Sequence, residues 1–249
     1  MKTKRFFSHT VGLSSLAVLL AASPSFAGSV TGKVKIDGTA PADKEIKMDA
    51  DPKCAAEHKT PAMNDNFTVN ADGTIQNVFV YVKAGLPAGK TYPTPTTPVQ
   101  FDQKGCQYHP KVIGVMVNQP FEIVNSDPTL HNIHALPKAS KEFNLGMPTQ
   151  GMKVTKTFTA PENPGTGGMV KIKCDVHPWM FAYVGVMDNP YFSATGDKGT
   201  YEIKDLPDGK YTLEAWHNKY GTATAEVEVK GGNATADFTL KPPAAGAGQ

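Results

Sequence analysis

Arginine is almost missing from this chain. The single one, Arg5, lies with Lys2 and Lys4 in an N-terminal stretch that reads as removable, and the remainder sets 22 lysines against 23 carboxylates. A chain with no guanidinium fork and no basic excess is a poor match for nucleic acid or bidentate phosphate recognition. Catalytic and haem signatures are missing too. There is no C-x-x-C-H for covalent haem, no H-E-x-x-H and no G-x-S-x-G, which leaves no haem or hydrolase reading to pursue. Charged residues make up only 19% and hydrophobic ones 40%, too apolar a balance for wholesale disorder. What the chain has instead is punctuation, with 23 glycines and 20 prolines in 249 residues. A helical bundle does not tolerate so many breakers, so an all-β fold of one large or two small domains is expected.

Residues 1–27 have a basic start, an apolar run from Val11 to Ala22 and the small-x-small end Ser25-Phe26-Ala27. This reads as a signal peptide cleaved after Ala27, because the run is well short of the roughly 20 residues that span a bilayer. No later segment is long and apolar enough to span, and the expected location is periplasmic or secreted. In an oxidising space three cysteines leave one over after any pairing. Cys54 and Cys106 sit among turn residues and are expected to form a loop-stapling disulfide. Cys174 ends an apolar alternation, with His177 and Met180 close behind, and is expected to remain a thiolate.

Alternation with period two runs through the chain, as in Val30, Val34 and Ile36 against Thr31, Lys33 and Lys35, or Val170, Ile172 and Cys174 against Lys171 and Lys173. This is the pattern of half-buried strands. Further strands are expected over 77–83, 112–117, 121–125, 154–158 and 183–187, so that residues 28–188 form a β-sandwich. Residues 136–152 are expected to be a long irregular loop. From 189 to 241 the strands shorten to 200–206, 210–217, 222–230 and 235–240, and the tail 242–249 is expected to be disordered. The segment Gly199–Gly221, with its Asp208-Gly209 turn, resembles the carboxypeptidase regulatory-like (transthyretin-like) β-sandwich, a pattern shared with carbohydrate-binding-like folds. That resemblance implies architecture more than activity. The strand 28–38 is able to complete this second sandwich, which would make the first domain an insertion. Trp216 and His217 are assigned to its core and rim.

Two segments carry chemistry: N-S-D-P-T-L-H-N-I-H-A-L, with His131 and His134, and K-I-K-C-D-V-H-P-W-M, with Cys174, His177 and Met180. Side chains at odd spacing point to opposite faces of a strand, so the stretch after Cys174 has to curl for its donors to converge. Pro178, with fixed φ and no N–H, suits such a loop. With one more histidine from a distant strand, the set becomes two imidazoles, a thiolate and a weak axial thioether, the ligands of a blue-copper site.

The loop C-x-x-H-P-x-M and the upstream H-N-x-H are similar to those of amicyanin among the cupredoxins. By that resemblance the ligands are His131, Cys174, His177 and Met180, the metal is one type 1 copper, and Asn132 follows the first ligand as cupredoxins commonly have it. His134 would then lie outside the ligand set, on the opposite face of the strand. Asp175 stands where the family usually has a hydroxyl residue, which puts the hydrogen bonding of the copper sulfur in question. The combination with a regulatory-like module also resembles exported bacterial proteins labelled methylamine-utilisation. The function this implies is not enzymatic: single-electron transfer between periplasmic partners such as a c-type cytochrome or a dehydrogenase.

The main rival metal is zinc, with Cys106-x-x-His109 and Cys174-x-x-His177 as a Cys₂His₂ site. It would require Cys106 to leave Cys54 unpaired, and copper is favoured. Two other functions stay open: a copper carrier without redox turnover, and a glycan- or protein-binding scaffold with a structural metal. His58 and His109 are expected to be solvated loop residues, Met147 and Met152 gap-fillers in the core, and Trp179 either a docking aromatic or a lid on the loop.

Overall fold

The computed structural model describes Met1, residues 27–64 and residues 68–241. The signal-peptide reading (apart from Met1 and Ala27) and the tail 242–249 fall outside these. Among the described residues strands are the dominant regular structure, with one five-residue helix, Pro52–Ala56, and one 3₁₀ turn, Pro164–Thr166. No described helix is long and apolar enough to cross a membrane.

The strands make four sheets, stacked as two sandwiches. The first sandwich has a five-stranded sheet in the order Val112–Met116, Phe181–Met187, Val170–Lys173, His131–Leu136, Phe143–Met147. It faces a four-stranded sheet in the order Gln107–His109, Val99–Lys104, Phe121–Asn125, Lys153–Lys156. Phe101, Phe121, Ile123, Ile133, Phe158, Ile172 and Val184 fill the space between them. The second sandwich packs Thr200–Pro207, Ala27–Ile36 and the short strands Ala234–Thr235 and Phe238–Leu240 against Phe192–Ala194, Phe79–Ala84, Gly209–His217 and Gly221–Val229. Its core contains Val30, Val34, Val80, Ile203, Leu213 and Phe238.

Several expectations need correcting. The strand Phe79–Ala84, placed with the first sandwich from its local pattern, pairs antiparallel with Gly209–His217 in the second. The first strand does complete the second sandwich, pairing with Thr200–Pro207. Residues 136–152 are not wholly irregular. Phe143, Leu145 and Met147 alternate inward along an edge strand, paired with His131–Leu136 so that Met147 lies opposite His131. The polar residues there reflect an outward face rather than a loop. The stretch 235–240 breaks into two short strands, both parallel to the first. Trp216 sits at the junction of the sandwiches, edge-on to Tyr183 at 5.2 Å, while His217 is buried against Tyr220.

Candidate metal centre

One end of the first sandwich gathers the residues that carry chemistry. His131 opens its strand, and Cys174 follows the end of the strand Val170–Lys173. The chain then turns tightly. The Met180 amide donates to the His177 carbonyl at 2.9 Å and the Cys174 amide to the Met180 carbonyl at 3.1 Å, closing the compact loop that the odd spacing demanded. Pro178 lies exposed on its outside. Asn132 clamps loop to sheet, its Oδ1 accepting the Asp175 amide at 3.1 Å and its Nδ2 donating to the Leu145 carbonyl at 3.2 Å.

The loop delivers its side chains inward. One ligand atom each from His131, Cys174 and His177 lies within 4.8 Å of the others, and all three residues are buried. The imidazoles face each other through Nδ1 atoms 3.1 Å apart, and His177 Nδ1 is 3.8 Å from Cys174 Sγ. Met180 is buried in the same core. Two soft or borderline nitrogens and a sulfur, in a space shut off from water, form a donor set that fits copper or zinc.

The electrostatics of this cluster are set by burial working against hydrogen bonding. Burial alone would raise the Cys174 thiol. Hydrogen bonds from His131, His177 and the backbone amides of His177 and Val176 outweigh it, and the pKa falls to about 6. Burial would likewise lower His131, but its bond to Asp127 and the nearby thiolate raise it to about 9. His177 moves up for the same reasons, through Cys174 and Asp51. Without metal, the Cys174 thiolate lies beside a protonated His131, each favouring the other's charge.

Two residues that the sequence reading missed hold the outer edges of the rings. Asp127 Oδ2 lies 2.8 Å from His131 Nε2, and Asp51 Oδ2 lies 3.0 Å from His177 Nε2. A carboxylate behind a ligand histidine fixes the ring and its tautomer and raises its basicity. Each aspartate also accepts a backbone amide from a half-cystine: Cys106 donates to Asp127 at 2.8 Å and Cys54 to Asp51 at 3.4 Å. The Cys54–Cys106 disulfide is present as expected, and it is more than a loop staple, because Cys54 Sγ lies 3.5 Å from His177 Nε2. Trp179 is a lid, its indole N–H donating to the Cys106 carbonyl at 3.0 Å and its ring 5.1 Å from that of His177.

Other candidates stand apart. His134 is held between Asp175 and Glu142, 2.9 Å from each, on the opposite face from His131. Asp175 turns outward to His134, Asn144 and Lys173, contacts that bring its carboxyl down to about 2. His109 is exposed and reaches the Lys104 carbonyl, so the Cys106–His109 half of the zinc alternative is not assembled. His58 is not simply solvated, since Nε2 lies 2.7 Å from the Gly105 carbonyl. Met147 fills the core and accepts from Gln103 at 3.0 Å, and Met152 packs against the same core.

No family model and no curated protein matches this chain. Solved structures do. A copper-containing nitrite reductase from Thermus scotoductus SA-01 is 22% identical over 43% of this chain and 26% of its own length, with a TM-score of 0.33. The chain thus spans about a quarter of that protein. A purple cupredoxin from Nitrosopumilus maritimus is 22% identical over 35% of this chain and 98% of its own, with a TM-score of 0.29. A Cu(I) form of an amicyanin variant is 19% identical over 45% and 99%, with a TM-score of 0.31.

Proposed function

We propose that the chain is an exported, non-enzymatic copper protein that passes single electrons between periplasmic partners, and that His131, Cys174, His177 and Met180 hold the ion. The observation that carries this reading is the convergence of three buried donors, His131, Cys174 and His177, within 4.8 Å. Copper bound there would supply one-electron exchange, since thiolate and thioether favour Cu(I) while imidazole accepts Cu(II). The chain's own residues do the rest. The Cys174–Met180 turn sets the spacing, Asn132 anchors the loop to the sheet, and Asp51 and Asp127 keep both rings from rotating.

Copper loading followed by absorption spectroscopy and voltammetry tests the reading. An intense visible thiolate-to-Cu(II) band and a reversible couple are expected, with the band lost in Cys174→Ser. Met180→Leu should keep the copper and change the potential. A colourless copper-loaded protein would overturn the proposal.

A second reading, a copper carrier without turnover, draws support from the closed outer edge of His177, covered by Asp51 and the disulfide. A site that retains Cu(I) yet gives no reversible couple would favour it. The second sandwich is read as the regulatory-like module, and glycan arrays probed with the whole chain would reveal a binding role.

A further inference from the structure

We propose that Cys54 and Cys106, when reduced, form a second metal site with His177 that takes a thiophilic divalent cation of the zinc type. One ligand atom from each of the three lies within 4.8 Å of the other two, and all three residues are buried. Cys54 Sγ to His177 Nε2 is 3.5 Å, close to the separation of about 3.5 Å that two ligands adopt around tetrahedral zinc, given its bond lengths to sulfur and nitrogen. Asp51 Oδ2, 3.0 Å from the same nitrogen, holds the His177 ring in place beside the two sulfurs.

His177 makes the arrangement possible by presenting different nitrogens to the two sites. Nδ1 faces His131 and Cys174, and Nε2 faces the disulfide and Asp51. In the oxidised chain neither Cys54 nor Cys106 is a thiolate, so only the first site is complete.

Opening the S–S bond need not scatter the donors, because each half-cystine is also tethered through its amide. Cys54 is tied to Asp51 as part of the cap on the helix Pro52–Ala56, and Cys106 to Asp127 on the opposing loop. The reductant is a dithiol, which forms its own disulfide as it gives two electrons and two protons to the sulfurs. Metal binding then releases the two thiol protons and the proton that Nε2 donates to Asp51.

The inference rests on the disulfide and not on the copper reading, and zinc stoichiometry by native mass spectrometry separates the two. The whole chain is compared before and after treatment with a phosphine reductant, with reduction checked by alkylation of a parallel sample. A gain of one zinc per chain on reduction is expected. Cys174→Ser, which removes the first site's thiolate, should show the same gain, and the Cys54→Ser, Cys106→Ser double variant should show none. Equal stoichiometry before and after reduction, the same gain in the double variant, or loss of the β circular dichroism signal on reduction would each overturn the proposal.

Discussion

Cys174 is a thiolate near neutrality because two imidazoles and two amides converge on a sulfur that burial alone would keep protonated. In metal-free protein its ultraviolet absorbance should titrate with a midpoint of about 6; a midpoint near the ordinary 9.0 of a thiol would refute the arrangement. The sign for metal binding follows from the partner. With the sulfur already ionised above about 6 and His131 protonated up to about 9, binding has to expel an imidazolium proton. Affinity therefore rises about tenfold per pH unit between about 7 and 9 and flattens above, which chelator competition measures. Behind the ring, Asp127→Asn removes the charge that orients His131 and should weaken metal binding about 10–100-fold; unchanged affinity would make Asp127 a loop anchor only. The candidate donors Cys174 and His177 were legible because they fall, with Met180, in one seven-residue motif. Their carboxylate partners were not. Asp51 reaches His177 across 126 residues, and no local pattern marks such a contact.

At the scale of elements, the disulfide joins the helix Pro52–Ala56 to the turn after Val99–Lys104 and so holds both aspartates against their rings. It closes a loop of 52 residues, for which chain entropy gives a stabilisation of about 4 kcal/mol. The Cys54→Ala, Cys106→Ala double variant should lose about that much in denaturant unfolding, and a loss under about 1 kcal/mol would mean that the segment is held by its hydrogen bonds instead. The pairing could be read from the turn residues around both cysteines, but the consequence for the metal centre could not, because it depends on where the loop lands. The edge strand Phe143–Met147 shows a different kind of failure. Its alternation Phe143, Leu145, Met147 was present, but neighbouring glycine, proline and polar residues outweighed it, and only the partner His131–Leu136 gives the strand its place.

Across the described residues, the path from Ala27 starts in one sandwich, leaves to build the other and returns. The strand Phe79–Ala84 looked like its sequence neighbours, yet its register with Gly209–His217 spans more than half the chain, and local alternation carries no such information. The two sandwiches meet where the rings of Phe79 and Phe192, 5.8 Å apart, lie over Gly185 and Gly114, which are register partners on parallel strands. The glycines matter for their lack of a side chain, which leaves a flat floor for the rings. A Cβ at Gly185 would stand 2.5 Å from Phe79 Cζ, too close without displacing the ring or the sheet. Gly185→Ala should therefore destabilise by about 1–3 kcal/mol through overpacking. The metal centre should be spared, since five strand residues from Met180 to Gly185 span about 16 Å. Adding Phe79→Ala removes the atom in the way, so the second change should cost less in Gly185→Ala than in the parent chain. Thermal unfolding of the two single variants and the double one measures that coupling. Strict additivity would show that the ring yields freely and that the junction does not depend on these glycines.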